Sequence, residues 1–513
     1  MQKNNQVKTV GLVIIITLIG RVMGLGRDML MAHNLGTGWQ ADALAAASQL
    51  PRTFFDAIFA SAVSASFIPV FNAVMTHSGK DEAHKLANSF LTIVGLAAAG
   101  LTILGILFAQ PLISLLTNFD QRTAELAVVL LRVIFPTLLF AGLAFSAVGI
   151  LNSYGEFNIP AAMTIVSNGV LIVYFAFFVG RFGVYGAAVA FLLGWAAQAL
   201  IQLPSLRKKG YRYRPQLRHP GLRDIFALML PVMVSTWVAP INMLVSIQFA
   251  SAIPGGAAGM NLAKGLFIMI AGIFVLSVTN VIFPEMSRLS ATGEREKLGQ
   301  VVSSSMQTLL FLLIPMTVGL KVLATPLIRL LYEYRAFDAA STALTSSALF
   351  FLCLGMVGYG VQNVLIRAFY AEKNGKVPMI SGLLSIGTNL VLCLLLVNVM
   401  GLAGVALATA ISFFVAAVVL VPPAHNMLGK RLITPALLVA LGKMLAAALI
   451  MGAVALLVDW GLSGILSDGF VPRVLRVAVP TLVGIVVYGG LAHVFRLSEV
   501  SYILGLTRKG KGK

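Results

Sequence analysis

Runs of about 20 apolar residues recur from one end of the chain to the other, each long enough to cross a bilayer as a helix. They are continuously apolar rather than alternating, which argues against a spanning β-barrel. About fourteen can be drawn, near 8–33, 42–74, 86–110, 124–151, 158–180, 183–204, 224–252, 259–287, 300–323, 341–371, 377–400, 402–422, 434–458 and 473–495. Pro69, Pro136, Pro240 and Pro284 fall inside spans and predict kinks, since neighbouring helices in a bundle satisfy the freed backbone groups. The first run follows a charged start, as in a signal peptide. No small-residue cleavage site follows before Arg21, so it reads as a retained first helix.

The polar positions between the runs set an orientation. With the N-terminus inside, cytoplasmic connections carry Lys80 and Lys85; Arg207, Lys208, Lys209, Arg212, Arg214 and Arg218; Arg288, Arg295 and Lys297; Lys373 and Lys376; Lys430 and Arg431; and the tail. The opposite connections hold only Arg122, Arg181, Arg329, Arg335 and Arg473. This bias places both termini in the cytoplasm. Composition agrees: 58% of the 513 residues are hydrophobic and 11% charged, against about half and about a quarter in soluble domains. A net charge of +19 would suggest nucleic acid as partner. The basic residues sit in short loops between spans, however, so the pattern points to anionic lipid instead.

The chain also repeats itself. AIFASAVSASFIPVF (57–71) echoes GIFVLSVTNVIFPEM (272–286), with Ile58/Ile273, Phe59/Phe274, Val63/Val278 and Pro69/Pro284 in register. Pro160 matches Pro378, and GVYGAAVA (183–190) matches GLAGVALA (401–408) at the same offset. The expected organisation is therefore a first lobe at 1–206 (spans one to six), a basic connection at 207–223, a second lobe at 224–424 (spans seven to twelve), and spans thirteen and fourteen with a basic tail at 425–513. Six spans per half make the repeat parallel, and two such halves around a central cavity are a transporter architecture. The predicted class is an all-α integral membrane protein and not an enzyme. No connection is long enough for a soluble domain.

Other chemistries are weak. GLTRKGK (505–511) superficially fits a phosphate-binding loop, but Gly512 replaces the required Ser/Thr and no strand precedes it, so ATP is not the direct energy source. Cys353 and Cys393 read as small packing residues in different spans. The six histidines show no metal-ligand spacing, and no cofactor is expected.

Charged residues inside spans are costly and are functional candidates by default. Span one holds Arg21, Arg27 and Asp28; span two holds Asp42, Arg52 and Asp56; span eight holds Lys264. At 1.5 Å per residue, Arg52 lies roughly 15 Å into its span, at a depth overlapping those of Arg21, Arg27 and Lys264. Four cations from two halves could line one cavity and attract a phosphate or diphosphate, with arginine supplying bidentate contacts. Plainer readings compete. Arg27 could pair with Asp28, Arg52 could pair with Asp56 one turn on, Lys264 could snorkel outward, and Asp42 could cap span two. Arg132, Lys321, Lys443 and Arg367 read as interface anchors. Gly20 and Gly24 form a small-xxx-small pattern that lets helices approach.

The opening GRVMGLGRDMLMAHNLGTGWQADA resembles that of the lipid II flippase MurJ (MviN) family, in the multidrug/oligosaccharidyl-lipid/polysaccharide exporter superfamily. Leu50-Pro51, Phe67-Ile68-Pro69, ILNSYGEFNIPA (150–161) and VPRVLRVAV (471–479) also sit where that family has similar segments. The resemblance covers essentially the whole chain. It implies fourteen helices in two six-helix lobes plus two more. The implied function is flipping of the undecaprenyl-diphosphate-linked peptidoglycan precursor across the bacterial inner membrane, with the polyprenyl tail in a groove beside spans thirteen and fourteen. Implied partners are that lipid, membrane lipids and cell-wall synthesis proteins. Arg21, Arg27 and Asp42 fall on positions implicated in function, and Lys264 falls where the family usually has arginine. Asp28 and Asp56 would support or gate the set. The second helix departs from the usual LPNLLRRIFAEGAF, reading LPRTFFDAIFASAV; Arg52 lies about one turn before the absent arginine pair. The rival expectations are a flippase for another polyprenyl-linked glycan, a multidrug exporter, which should offer carboxylates to cationic drugs, and a scaffold, in which the span charges would be dispensable.

Overall fold

The computed structural model describes residues 2–55, 66–428 and 432–497, with side chains for all of these except 2–10, 230–236, 238 and 239. No strand occurs among the described residues. The chain forms two compact units: Met1–Ala258 with Tyr334–Phe337, and Gly259–Glu333 with Asp338–Lys513.

The first unit is built from α1 (Gln2–Leu35), α2 (Trp39–Phe55), α3 (Ile68–Ser78), α4 (Lys80–Leu107), α5 (Ala109–Leu116), α6 (Gln121–Ile134), α7 (Thr137–Ser153), α8 (Asn158–Val173), α9 (Val179–Leu200), α10 (Leu203–Lys208), α11 (Gly221–Thr236) and α12 (Val238–Ala250). A π-helical turn, Tyr174–Phe178, joins α8 to α9. The rest of the chain forms α13 (Gly256–Ala291), α14 (Arg295–Tyr332), α15 (Ala339–Cys353), α16 (Met356–Ala371), α17 (Lys376–Met400), α18 (Leu402–Leu428), α19 (Pro435–Ile465) and α20 (Phe470–Val494). Among the described residues, nine helical stretches are long and apolar enough to cross a membrane. The pair α15–α16, bent by 47° at its break, makes a tenth. The predicted spans fall on these helices, with spans five and six sharing one helical stretch, Asn158–Lys208, kinked at Gly183, and with 56–65 of span two outside the described residues. Large apolar side chains face outward, with Val399 80% and Ile465 82% exposed. Such a surface suits hydrocarbon, not water.

Three of the four prolines expected to kink spans sit at irregularities within their spans, at or near the start of a new helical piece. Pro69 is in the first turn of α3, Pro136 precedes α7 at its break from α6, and Pro240 is in the first turn of α12. A first turn has no intrahelical acceptor for its N–H groups, so proline costs nothing there. Pro284 lies inside the unbroken α13.

The repeat is visible in backbone geometry. Pro160 and Pro378 are each the third residue of their helices, α8 and α17. Gly183 (φ 55°, ψ −149°) and Gly401 (φ 58°, ψ −135°) share a conformation that disfavours a Cβ. The Ile58, Phe59 and Val63 matches of the earlier repeat segment lie outside the described residues.

The basic connection is docked on its unit. Tyr211 is buried and donates from its hydroxyl to Asn88 Oδ1 at 2.7 Å, and the Arg214 N–H donates to the same oxygen at 3.2 Å. The Gln216 N–H donates to Thr92 Oγ1 at 3.3 Å. Burial pushes the Tyr211 phenol above its ordinary value, so it remains a donor at physiological pH. Arg212, Arg214 and Arg218 stay exposed on this strap.

In the second unit, α19 and α20 pack on α14. Leu310, Phe311 and Ile314 meet Leu437, Met444, Met451 and Tyr488 in one cluster. The Tyr488 hydroxyl donates to the Phe311 carbonyl at 2.9 Å. A bidentate ion pair joins α20 to α19, from Arg476 Nε and Nη2 to Asp459 Oδ1 and Oδ2 at 2.9 and 3.1 Å. Removing one partner strands the other in a low-dielectric setting. Asp459→Ala should therefore lower stability by about 3 kcal/mol, measured by thermal unfolding in detergent. The double change Asp459→Ala with Arg476→Leu should recover most of that loss.

Candidate functional site

The span cations lie on two elements of the first unit and one of the second. On α1, Gly20, Gly24 and Arg27 recur at spacings of four and three, one stripe of a helix. That stripe faces α8. A Cβ at Gly20 would collide with Thr164, at 2.5 Å from its Oγ1, and one at Gly24 would reach Asn168. The two glycines thus bring α1 against α8, as their spacing predicts.

Close approach positions Asn168. Its side chain is buried, its Nδ2 donates to the Gly20 carbonyl at 3.0 Å, and its Oδ1 accepts from Arg27 Nη1 at 3.1 Å. Arg27 also donates from Nε and Nη2 to Asp28 Oδ1, at 2.9 and 2.6 Å. The plain pairing of Arg27 with Asp28 is therefore present. It occupies one edge of the guanidinium, Nε and Nη2, and Asn168 takes one hydrogen of the third nitrogen, Nη1. A guanidinium has five N–H donors, so two remain, one on each terminal nitrogen. Asn168 is the residue that sequence reasoning missed. It sits 141 positions from Arg27, and no local spacing announces such a pair.

Arg21 is half-buried on α1 with no ion pair or hydrogen bond among the described residues. Arg52 is exposed in the last turn of α2. Asp56, its expected partner, lies outside the described residues. Lys264 is half-buried on α13 and has no ion pair among the described residues. Among the sequence-predicted candidates, the structure brings together Arg27 and Asp28.

Asp42 needs a correction. It was expected as a possible cap for its own span. It is buried in the first turn of α2, but its carboxylate accepts from the Gly255 N–H at 2.7 Å and the Ala258 N–H at 2.8 Å. It therefore caps the start of α13, whose first amide hydrogens have no acceptor within that helix. The surrounding turn is tight. Gly36 (φ 59°) abuts the Ala336 carbonyl and Gly255 (φ 78°) the Thr37 carbonyl, so a side chain at either would clash. The Ala336 N–H donates to the His33 carbonyl at 3.1 Å, and the Tyr334 ring meets His33 edge-on at 5.2 Å.

Lys443 donates to the Phe495 carbonyl at 3.1 Å, and Arg132 is exposed. Arg367 lies over the Phe283 ring at 5.2 Å. Lys321 instead lines a cavity. Both cysteines are buried free thiols, and no metal-binding group of His, Cys, Asp or Glu occurs among the described residues.

The model of the family described as "Lipid II flippase MurJ" matches residues 31–477. A curated relative from Treponema pallidum (strain Nichols), a probable lipid II flippase MurJ, is 30% identical over 419 residues, covering 79% of each chain. A solved lipid II flippase MurJ in an inward closed conformation superposes with a TM-score of 0.80 at 26% identity, covering 94% of this chain and 98% of that one. An inward-facing multidrug transporter of the wider exporter superfamily shares the fold at a TM-score of 0.68 and 18% identity, covering 82% of this chain and 98% of that one. Membrane-length helices, a helix-borne cation held by Asp28 and Asn168, and these likenesses lead to one assignment: the chain belongs to the lipid II flippase MurJ family.

Proposed function

We propose that this protein flips lipid II from the cytoplasmic to the outer leaflet of the bacterial inner membrane by alternating access, with both termini in the cytoplasm. Arg27 carries the reading. It is a cation inside a span, oriented by Asp28 and Asn168, with two N–H groups left for an anion. A diphosphate offers acceptor oxygens at matching spacing, and charge-assisted hydrogen bonds are the strong ones. Arg21, Arg52 and Lys264 complete the proposed diphosphate-binding set, with Asp28, Asp42 and Asp56 in support. Positive residues concentrated on the proposed cytoplasmic side, in the docked 207–223 strap above all, support the orientation. An inside-negative potential would favour the unloaded cations returning inward, at about 2.3 kcal/mol per charge per 100 mV for full crossing. Cell-wall synthesis proteins are proposed partners.

The test is complementation. Bacteria depleted of their own lipid II flippase are given this chain, and lipid II in the outer leaflet is measured. Restored outer-leaflet lipid II is the expected result. No rescue despite full insertion would reassign the substrate to another polyprenyl-linked glycan.

A further inference from the structure

The second unit contains a cavity of about 610 Å³ between α14 and α15, within the size range of small-molecule sites. Lys321, Thr325 and Arg329 reach it from α14, and Ser346, Ser347 and Phe350 from α15. Lys321 lies eleven residues before the end of α14, about 16 Å from it. It rests 4.3 Å from the centre of the Phe350 ring and forms no ion pair among the described residues. A cation that lines a cavity on a membrane-length helix without a carboxylate is a functional candidate.

The other charges here are balanced against one another. Arg329 donates from Nε to Glu333 Oε1 at 2.9 Å and from Nη2 to Asp468 Oδ2 at 3.1 Å. Arg473 donates to the same Glu333 oxygen at 3.3 Å, and the Thr342 hydroxyl to Glu333 Oε2 at 2.8 Å. Counting Lys321, Arg329 and Arg473 against Glu333 and Asp468 leaves one positive charge, on Lys321. Three N–H groups of Arg329 remain open, and the Thr325 hydroxyl has no partner among the described residues. Donors therefore converge from Lys321, Thr325 and Arg329, while Ala324, Ala343 and Phe350 supply apolar walls. We propose that this cavity binds the anionic phosphate group of an amphiphilic ligand, with Lys321 as its counter-charge. The cavity includes none of the proposed diphosphate-binding residues among its lining, and the proposal does not rest on the flippase reading.

The full chain is placed in nanodiscs of phosphatidylcholine, with or without a minority of phosphatidylglycerol, and its melting temperature is read. Wild type should gain several degrees from phosphatidylglycerol. Lys321→Gln, and Ala343→Phe filling the cavity, should lose at least half of that gain while melting as wild type does in phosphatidylcholine alone. Arg212→Gln, on the exposed strap, should keep it. If Lys321→Gln does not fold, Ala343→Phe carries the comparison. A gain of the same Lys321 dependence from inorganic phosphate in phosphatidylcholine nanodiscs would support the site with a soluble source. Equal gains in all variants, or none in wild type, would overturn the proposal.

Discussion

Replacing Arg27 with alanine is expected to cut lipid II flipping at least ten-fold without lowering the amount of protein in the membrane. Each hydrogen bond to a charged group contributes about 1.5–3 kcal/mol, and about 1.4 kcal/mol is ten-fold in affinity. Losing two such contacts to a diphosphate therefore weakens capture by about two to four powers of ten. Arg27→Lys should fall between, since it keeps the charge but not the planar fork. The holders should matter less and differently. Asn168→Ala removes the Nη1 acceptor and the bond to the Gly20 carbonyl, leaving a guanidinium that is charged but less well aimed. Flux should fall several-fold, mainly through weaker apparent affinity. Lys264→Ala should lose flipping as Arg27→Ala does. Outer-leaflet lipid II in depleted cells, with protein levels matched, checks all four. Full activity in Arg27→Ala would remove the cation from the mechanism while leaving the family assignment intact.

The second large effect concerns stability. Asp42→Ala should destabilise the protein by about 3 kcal/mol, because the Gly255 and Ala258 amides lose their acceptor in a place water does not reach. Helix capping alone accounts for about 1–2 kcal/mol of this. Asp42→Asn retains one oxygen acceptor but turns an NH2 group toward an N–H donor, so it should recover only part. Thermal unfolding of the purified chain in detergent is the measurement. An Asp42→Ala protein that melts with wild type but does not flip lipid II would show that the cap is dispensable and the carboxylate acts elsewhere.

Family positions and structure answer different questions about Asp42. The resemblance marks the position as important to function, whereas the geometry shows a carboxylate bound to two backbone amides. A residue whose loss weakens a turn between spans will depress transport without touching substrate. Reading melting temperature and flux on the same variants separates those roles. Lys321 changed more completely. As sequence it was one more lysine near a span end; in the fold it rests on the Phe350 ring in the wall of a cavity.

Apolar run length was enough to place the helices, because hydrocarbon forces each crossing to satisfy its own backbone. The same constraint made the Gly20/Gly24 stripe readable, since only small residues let two helices approach. The repeated glycines were readable as a pattern, and their matched positive φ values show why Gly183 and Gly401 recur. Charge asymmetry suggested an orientation for the same local reason. What the sequence alone determined, then, was whatever one segment decides by itself: helical spans, punctuation, and which residues carry charge inside them. Only the tertiary structure decided partners. Arg27 meets Asn168 across 141 positions, Asp42 meets Gly255 across 213, and Tyr211 meets Asn88 across 123. Such pairs are set by which helices pack together and at what height. Hydrocarbon makes every span apolar alike, so the composition of a span does not name its neighbour.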